Sequence, residues 1–472
     1  MTVDDSLGNV EASGMQFAVD GYRVEGDDLK LTGPQSVIRV GDGTVAGQMM
    51  TATIGTSLTG ASELVKSDAG TLILTGANSY IGGTLISGGT LQVAMDKALG
   101  DVSGGISFDG GALHTTADMT SERSVSMTGD GEVRADADTE LILKGSFSGS
   151  GALKKKGGGT LILTADSGAY SGSASIDAGT LDVKGVLGGN LSVSKQGRLR
   201  GTGTVGDTSN SGIIAPGSDE IGTLTVQGNY TASNGELDIT AILGDDSSKT
   251  SRLVVDGATS GTTQVNVINR GGLGGQTVEG IRIIDVAGTS NGEFKLKGDY
   301  LFHGEQAVVA GAYGYRLLQG GVSNPTDGNW YLRSSLLNTQ NPNEPASPLY
   351  QPGVPLYESY AAAMQQLSKL GTLQQRIGNG VWATTQYAAT TGADRDAPPI
   401  ATVSGRVLTR HMPKSIRDFD ERRKLRCQYM ETSDRYRWCV CRKRCRKIDG
   451  WYFRTIWHRF FRYLVTLWSG QH

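Results

Sequence analysis

Cysteine is absent from the first 400 of the 472 residues; all four cysteines fall in the last 72. No disulfide framework can staple the bulk of the chain. That usage suits a secreted protein that must form no stray disulfides. Charged residues are only 19% and aromatics 7%. Proline is scarce, at 11 residues, and no strict Gly-X-Y period runs through the chain, which excludes collagen. No stretch reaches the ~18 consecutive apolar residues of a membrane-spanning helix. The first residues, MTVDDSLGNVEASG, have no basic start and no apolar centre, so no signal peptide is read there.

What is present in excess is glycine, 69 residues, about twice the usual share. Low charge with much Gly, Ser and Thr fits a polar disordered chain or an all-β fold with many tight turns. The apolar residues decide. They come in short clusters (TLILT, RLVVD, IRIID) rich in β-branched residues and bounded by Gly, Asn or Asp. That is the strand-and-turn signature.

The chain also repeats itself. Residues 63–76, ELVKSDAGTLILTG, align with 152–165, ALKKKGGGTLILTA. Leu64 matches Leu153, Lys66 matches Lys155 and Leu72 matches Leu161. After a one-residue insertion, Tyr80 matches Tyr170 and GTLQV matches GTLDV. A weaker echo, GTLTVQGNYTASNGELDI, fills 222–239. Within GTLILT, alternation puts Leu72 and Leu74 on one side and Thr71, Ile73 and Thr75 on the other. Each GTL phrase is read as a coil that cannot bury its apolar side alone and must stack on a neighbour. Glycine at the corners permits positive φ. The fold class is therefore all-β, a parallel β-helix or solenoid, right-handed by the crossover rule. A β-sandwich has no need of the recurring phrase, and no Trp-Asp blade signature marks a propeller.

These phrases resemble the passenger strand repeats of the bacterial autotransporters of type V secretion. Residues 199–231, LRGTGTVGDTSNSGIIAPGSDEIGTLTVQGNYT, resemble their late passenger coils. Residues 298–336 resemble the pertactin-like junction that caps the helix and acts as an autochaperone in that family. The resemblance covers roughly 60–385. It implies a surface-exposed passenger, most simply an adhesin for host cell-surface or extracellular-matrix molecules. In the intact family, export also involves the outer membrane and its barrel-assembly machinery. No specific nucleic acid is implied. Physically, the open edge of a β-helix needs a cap, and Tyr300, Phe302, Tyr313, Tyr315, Trp330 and Tyr331 offer the bulk for one.

The expected organisation is N-terminal passenger strands over 1–60 and the β-helix over 61–215, with strand repeats at 63–94 and 152–184. The autochaperone junction follows over 216–337 and a Pro-rich linker over 338–355. Residues 356–400 would hold a pore helix and the start of a translocator barrel. Tyr357, Tyr360, Met364, Leu367, Leu370 and Ile377 recur there near helical spacing, with Pro355 before and Gly378 after.

Residues 401–472 break the pattern. They hold 18 Lys/Arg against 6 Asp/Glu, a net of +12, while the first 400 residues carry −15. A barrel needs about a dozen alternating strands, and none is written here. The tail reads as disordered or aberrant, out of frame from near 403–410, with the barrel truncated and export unexpected. Two other readings stay open for it. Cys427, Cys439, Cys441 and Cys445 could bind zinc, although C-x11-C-x-C-x3-C matches no common finger. The basic run could instead meet phosphates or a membrane surface.

Catalysis on a β-helix uses carboxylates on one ladder. The candidates are Asp109, Asp130, Asp136 and Asp138, and a glycosidase pair must sit ~5–10 Å apart. Solvated turns explain these residues more simply. His114 and His303 stand alone in sequence, without triad or metal spacing, and no phosphate loop is present. No catalytic, cofactor-binding or metal residue is assigned, and no cofactor is implied. The competing reading is a polysaccharide-acting β-helix enzyme; a third is a non-functional truncated product.

Overall fold

The computed structural model describes residues 1–217, 220–336 and 346–368, with 428–429 and 439–440. The chain divides into two units, Met1–Arg376 and Ile377–His472. In the second, Gln428–Tyr429 pairs antiparallel with Cys439–Val440. The readings of the barrel start beyond residue 368 and of the basic tail otherwise fall outside the described residues.

The first unit is built around a parallel β-helix. Gly, Asn and Asp cut the apolar runs into strands mostly of three to six residues. Successive strands fall on three faces, and the chain returns to the same face after about 20 residues. Thr71–Leu74 pairs in parallel with Thr51–Ile54 on one side and Thr90–Val93 on the other. The first face runs from Gly14–Phe17 to Phe147–Gly149 and resumes from Asp166–Ser167 to Ile281–Val286. The second runs without a break from Thr2–Val3 through Tyr22–Gly26 to the first part of Thr259–Asn269. The third holds Leu29–Leu31 and Leu58–Gly60, is interrupted, and resumes at Met119–Ser121. The short 3-10 turn Asp96–Leu99 occupies the interruption. Buried Arg123 ties it down, donating to Asp96 Oδ1 (3.1 Å) and to the carbonyls of Gly100 (2.7 Å) and Gly104 (2.8 Å).

The alternation read from GTLILT holds. Leu72 and Leu74 lie inside, as do Leu161 and Leu163, while Thr71 and Ile73 point out. One expectation changes. A GTL phrase is one strand, and a coil takes three. The stacking partner of the phrase is inside the same repeat: Leu72 lies on Leu91 and Leu161 on Leu181. The glycines follow from that closeness. Gly89 and Gly179 have φ of +60° and +72°. A Cβ on Gly89 would sit 2.3 Å from the Gly70 carbonyl oxygen, and one on Gly179 2.3 Å from that of Gly157. Only glycine fits both demands.

The two repeats do not occupy the same faces. In the first, Glu63–Ser67 lies on the first face and Thr71–Leu74 on the second. In the second, Leu153–Lys156 lies on the second face and Thr160–Leu163 on the third. The echo strand Thr223–Val226 returns to the first face. The coil takes about 21 residues while the repeats are offset by 89, four coils and one further face.

The C-terminal edge is closed by antiparallel strands. Ile281–Val286 pairs with Trp330–Arg333, which pairs with Tyr313–Gln319 and then Glu305–Ala310. Tyr315, Trp330 and Tyr331 are buried there, whereas Tyr300, Phe302 and Tyr313 are half-buried. Phe294 stacks on Tyr230 and meets Trp330 edge-on. Helix Val354–Ser368 begins one residue before Pro355, which sits in its first turn, where its missing N–H costs nothing. Leu356, Tyr357, Tyr360 and Met364 are exposed on it. No helix among the described residues is long and apolar enough to cross a membrane, which says nothing of a barrel.

Candidate functional site

The second face presents the longest unbroken outer ladder. Its outward column reads Thr51, Thr71, Thr90, Ala112, Glu132, Lys154, Ser175, Ser192, Ser209, Thr231 and Ser260, each in register with the next. Ten steps of ~4.8 Å give a ladder of ~48 Å. The column changes character along its length. Around Glu132 and Lys154 it is charged and borders a shallow groove of about 480 Å³. From Ser175 onward it is hydroxyl, and a second groove of about 390 Å³ is lined by Asn190, Ser192, Asp207, Ser209, Asn229 and Thr231.

The charged part is a compact network. Burial pushes the Glu132 carboxyl up, but hydrogen bonds from Arg134 and Lys156 outweigh it and hold the group below its ordinary value. Lys156 lies 2.8 Å from Glu132, and Arg134 donates to the same carboxylate. The His114 ring Nε2 lies 2.8 Å from Asp136 Oδ1. His114 is isolated in the sequence, because its partner is 22 residues away and one coil up. Register supplies the contact: His114 is opposite Arg134, two residues before Asp136.

The four acidic candidates split into two pairs at opposite corners. Asp109 and Asp130 lie at the corner that leads into the second face, on successive coils. Asp136 and Asp138 lie at the opposite corner, after strand Gly131–Ala135. Six residues of extended chain separate Asp130 from Asp136 by ~20 Å, twice the reach of a glycosidase pair. Asp130 is also engaged: its Oδ1 accepts from the Ala152 amide of the next coil at 3.0 Å. Asp138 holds φ of +62°, a turn conformation.

Asp130 belongs to a series that the sequence did not disclose. Asp20 accepts from Thr51 N–H (2.7 Å), Asp118 from Glu140 (2.9 Å), Asp207 from Asn229 (2.6 Å) and Asn229 from Ala258 (2.9 Å). Each is a corner carboxylate or amide that satisfies an N–H of the coil above. The signal was there as Asp or Asn recurring at corners one coil apart. Among the described residues no group of three His, Cys, Asp or Glu side chains could hold a metal ion.

Comparison with known proteins adds to this geometry. Residues 64–93 and 153–183 match the Passenger-associated-transport-repeat family. Residues 204–317 match Autochaperone Domain Type 1. The chain is 60% identical over 387 residues to the Adhesin BmaC autotransporter of Brucella suis, a match covering 81% of this chain and 11% of that protein. It is 45% identical over 115 residues to the Autotransporter adhesin AIDA-I of Escherichia coli, covering 24% of this chain and 8% of that one. It is 41% identical over 82 residues to the Extracellular serine protease of Serratia marcescens, 17% of this chain and 8% of that one. The chain thus spans about a tenth of the length of each of these three relatives.

Proposed function

The chain is an autotransporter passenger, with passenger-associated repeats and an autochaperone domain, and from that premise we propose that its β-helix serves adhesion at the bacterial surface. The observation that carries this reading is the unbroken outer ladder of the second face. A flat column of hydroxyls, amides and paired charges offers many shallow polar contacts, and repetition along ~48 Å lets weak contacts add. The name of the Brucella relative, an adhesin, points the same way. Host cell-surface or matrix molecules are the partners, and residues 204–317 template folding from the C-terminal side.

The chemistry of the ladder is that of binding. Arg134 and Lys156 hold Glu132, a backbone amide holds Asp130 and His114 holds Asp136, and no hydroxyl hydrogen-bonds to the His114 ring among the described residues. The repeats do not by themselves define the adhesive surface, because each spreads its strands over two faces: Thr71 and Thr90, Lys154 and Ser175 join the second-face ladder, whereas Thr160 lies on the third.

The test is binding of the purified chain to host cells and matrix-coated surfaces. Ser192→Arg and Ser209→Arg place bulk and charge on the second face; Thr225→Arg does so on the first. The second-face pair should lower binding at least tenfold and the first-face change should leave it intact. Equal loss from both, or glycan cleavage by the wild type, would overturn the reading.

A further inference from the structure

Two lysines point the wrong way. Lys66 and Lys155 occupy inward positions, between Ile38 and Ile86 in one ladder and between Val133 and Ile176 in the other. Both are fully buried, with 0% and 1% exposure. An ammonium has three N–H donors and no acceptor, and each donor is used. Lys66 Nζ donates to the carbonyls of Ser67 (2.8 Å), Asp68 (2.8 Å) and Gly88 (2.9 Å). Lys155 Nζ donates to those of Lys156 (2.8 Å), Gly157 (3.1 Å) and Ala178 (3.3 Å). In both cases one acceptor is the last residue of the lysine's own strand, the second is in the turn that follows, and the third is in the equivalent turn one coil later.

The rest of each repeat is built on the same plan. Each carries a buried tyrosine, Tyr80 or Tyr170, with a bonded hydroxyl: Tyr80 to Thr84 Oγ1 at 2.7 Å, Tyr170 to the Ser173 carbonyl at 2.8 Å. Each stacks its two GTL leucines on one another. Apart from a second bond from the Tyr170 hydroxyl to the Gly151 carbonyl (2.9 Å), these contacts close within residues 64–93 and 153–183. They persist although the two repeats sit on different faces, against different flanking coils.

We propose that Lys66 and Lys155 are clasps that set the register between the two successive coils of each repeat, so that each repeat closes on itself whichever face it occupies. A burial cost is consistent with that role: desolvation pushes both ammonium groups down to about 8. A buried ion of this kind is retained for specificity of arrangement more than for stability. An apolar side chain would leave three carbonyls without this donor.

The test is hydrogen exchange on the full chain, read by mass spectrometry. In Lys66→Met, amides in the joined turns, Gly70 and Thr90 among them, should exchange about tenfold faster, while 153–183 and the strand Tyr230–Ala241 stay unchanged. Lys155→Met should give the reverse pattern, with Gly159 and Thr180 released. No local change, or acceleration spread evenly over all coils, would overturn the proposal. Acylation of the wild type needs no substitution. Lys66 and Lys155 should react at least about tenfold more slowly than exposed Lys154, and equal rates would also overturn it.

Discussion

The repeat at 64–93 and the repeat at 153–183 share a lysine, a tyrosine, a pair of stacked leucines and a positive-φ glycine, yet sit one face apart around the same helix. Their neighbours differ accordingly. Lys66 lies between Ile38 and Ile86, and Lys155 between Val133 and Ile176. Conserving the internal contacts while changing the surroundings teaches that the unit of instruction is local. In a solenoid each coil touches only its neighbours, so a segment of four or five strands can carry its own packing wherever the winding delivers it. The absolute direction of a strand is then free to drift, provided the relative register of the two coils is kept.

That comparison can be broken at several points. The largest expected effect is on the tyrosines. Tyr80→Ala and Tyr170→Ala each empty a fully buried site and should lower local stability by about 4 kcal/mol, measured by native-state hydrogen exchange. If the repeats are independent of face, the two losses agree to within ~1 kcal/mol; a larger gap would make the flanking coils part of the unit. Next come the glycines. Gly89→Ala and Gly179→Ala force an L side chain into positive φ against a carbonyl, at a cost of about 2 kcal/mol each. Urea titrations of the two variants should be superimposable in their first transition.

The smallest effect, taken per pH unit, is the pH dependence. The folded values of Lys66 and Lys155, about 8, lie below the ordinary 10.5. Between these limits the unfolded chain holds more protons, so stability rises as pH increases from about 8 toward 10.5. The slope is at most ~1.4 kcal/mol per pH unit for each lysine. Lys66→Met and Lys155→Met should each remove one share of that rise, and the double variant both. A slope unchanged in either variant would show that its lysine is solvated.

Much of this arrangement was legible beforehand, and the exceptions have a common cause. The inward leucines, the corner glycines and the aromatic closing segment are local patterns: period two, a residue type that tolerates positive φ, a cluster near one end. The carboxylates were harder. Asp130 and Asp136 are six residues apart and read as one acidic patch, but an intervening strand sends them to opposite corners. His114 read as alone, although Asp136 lies beside it, because parallel stacking brings residues 22 apart into contact. Contacts of that kind depend on how many residues each coil spends in its turns, and that count varies from coil to coil.

By itself the amino-acid sequence determined that this protein is a stack of short parallel strands, that the leucines of its GTL phrases turn inward, and that glycine belongs at the corners. Backbone sterics and apolar burial act over a few residues and need no distant information. Tertiary structure alone decided which face each strand occupies, which corner carboxylate meets which amide, and that two identical phrases look in different directions. Those outcomes accumulate from the length of every preceding turn, so a difference of one or two residues early in the winding redirects everything that follows.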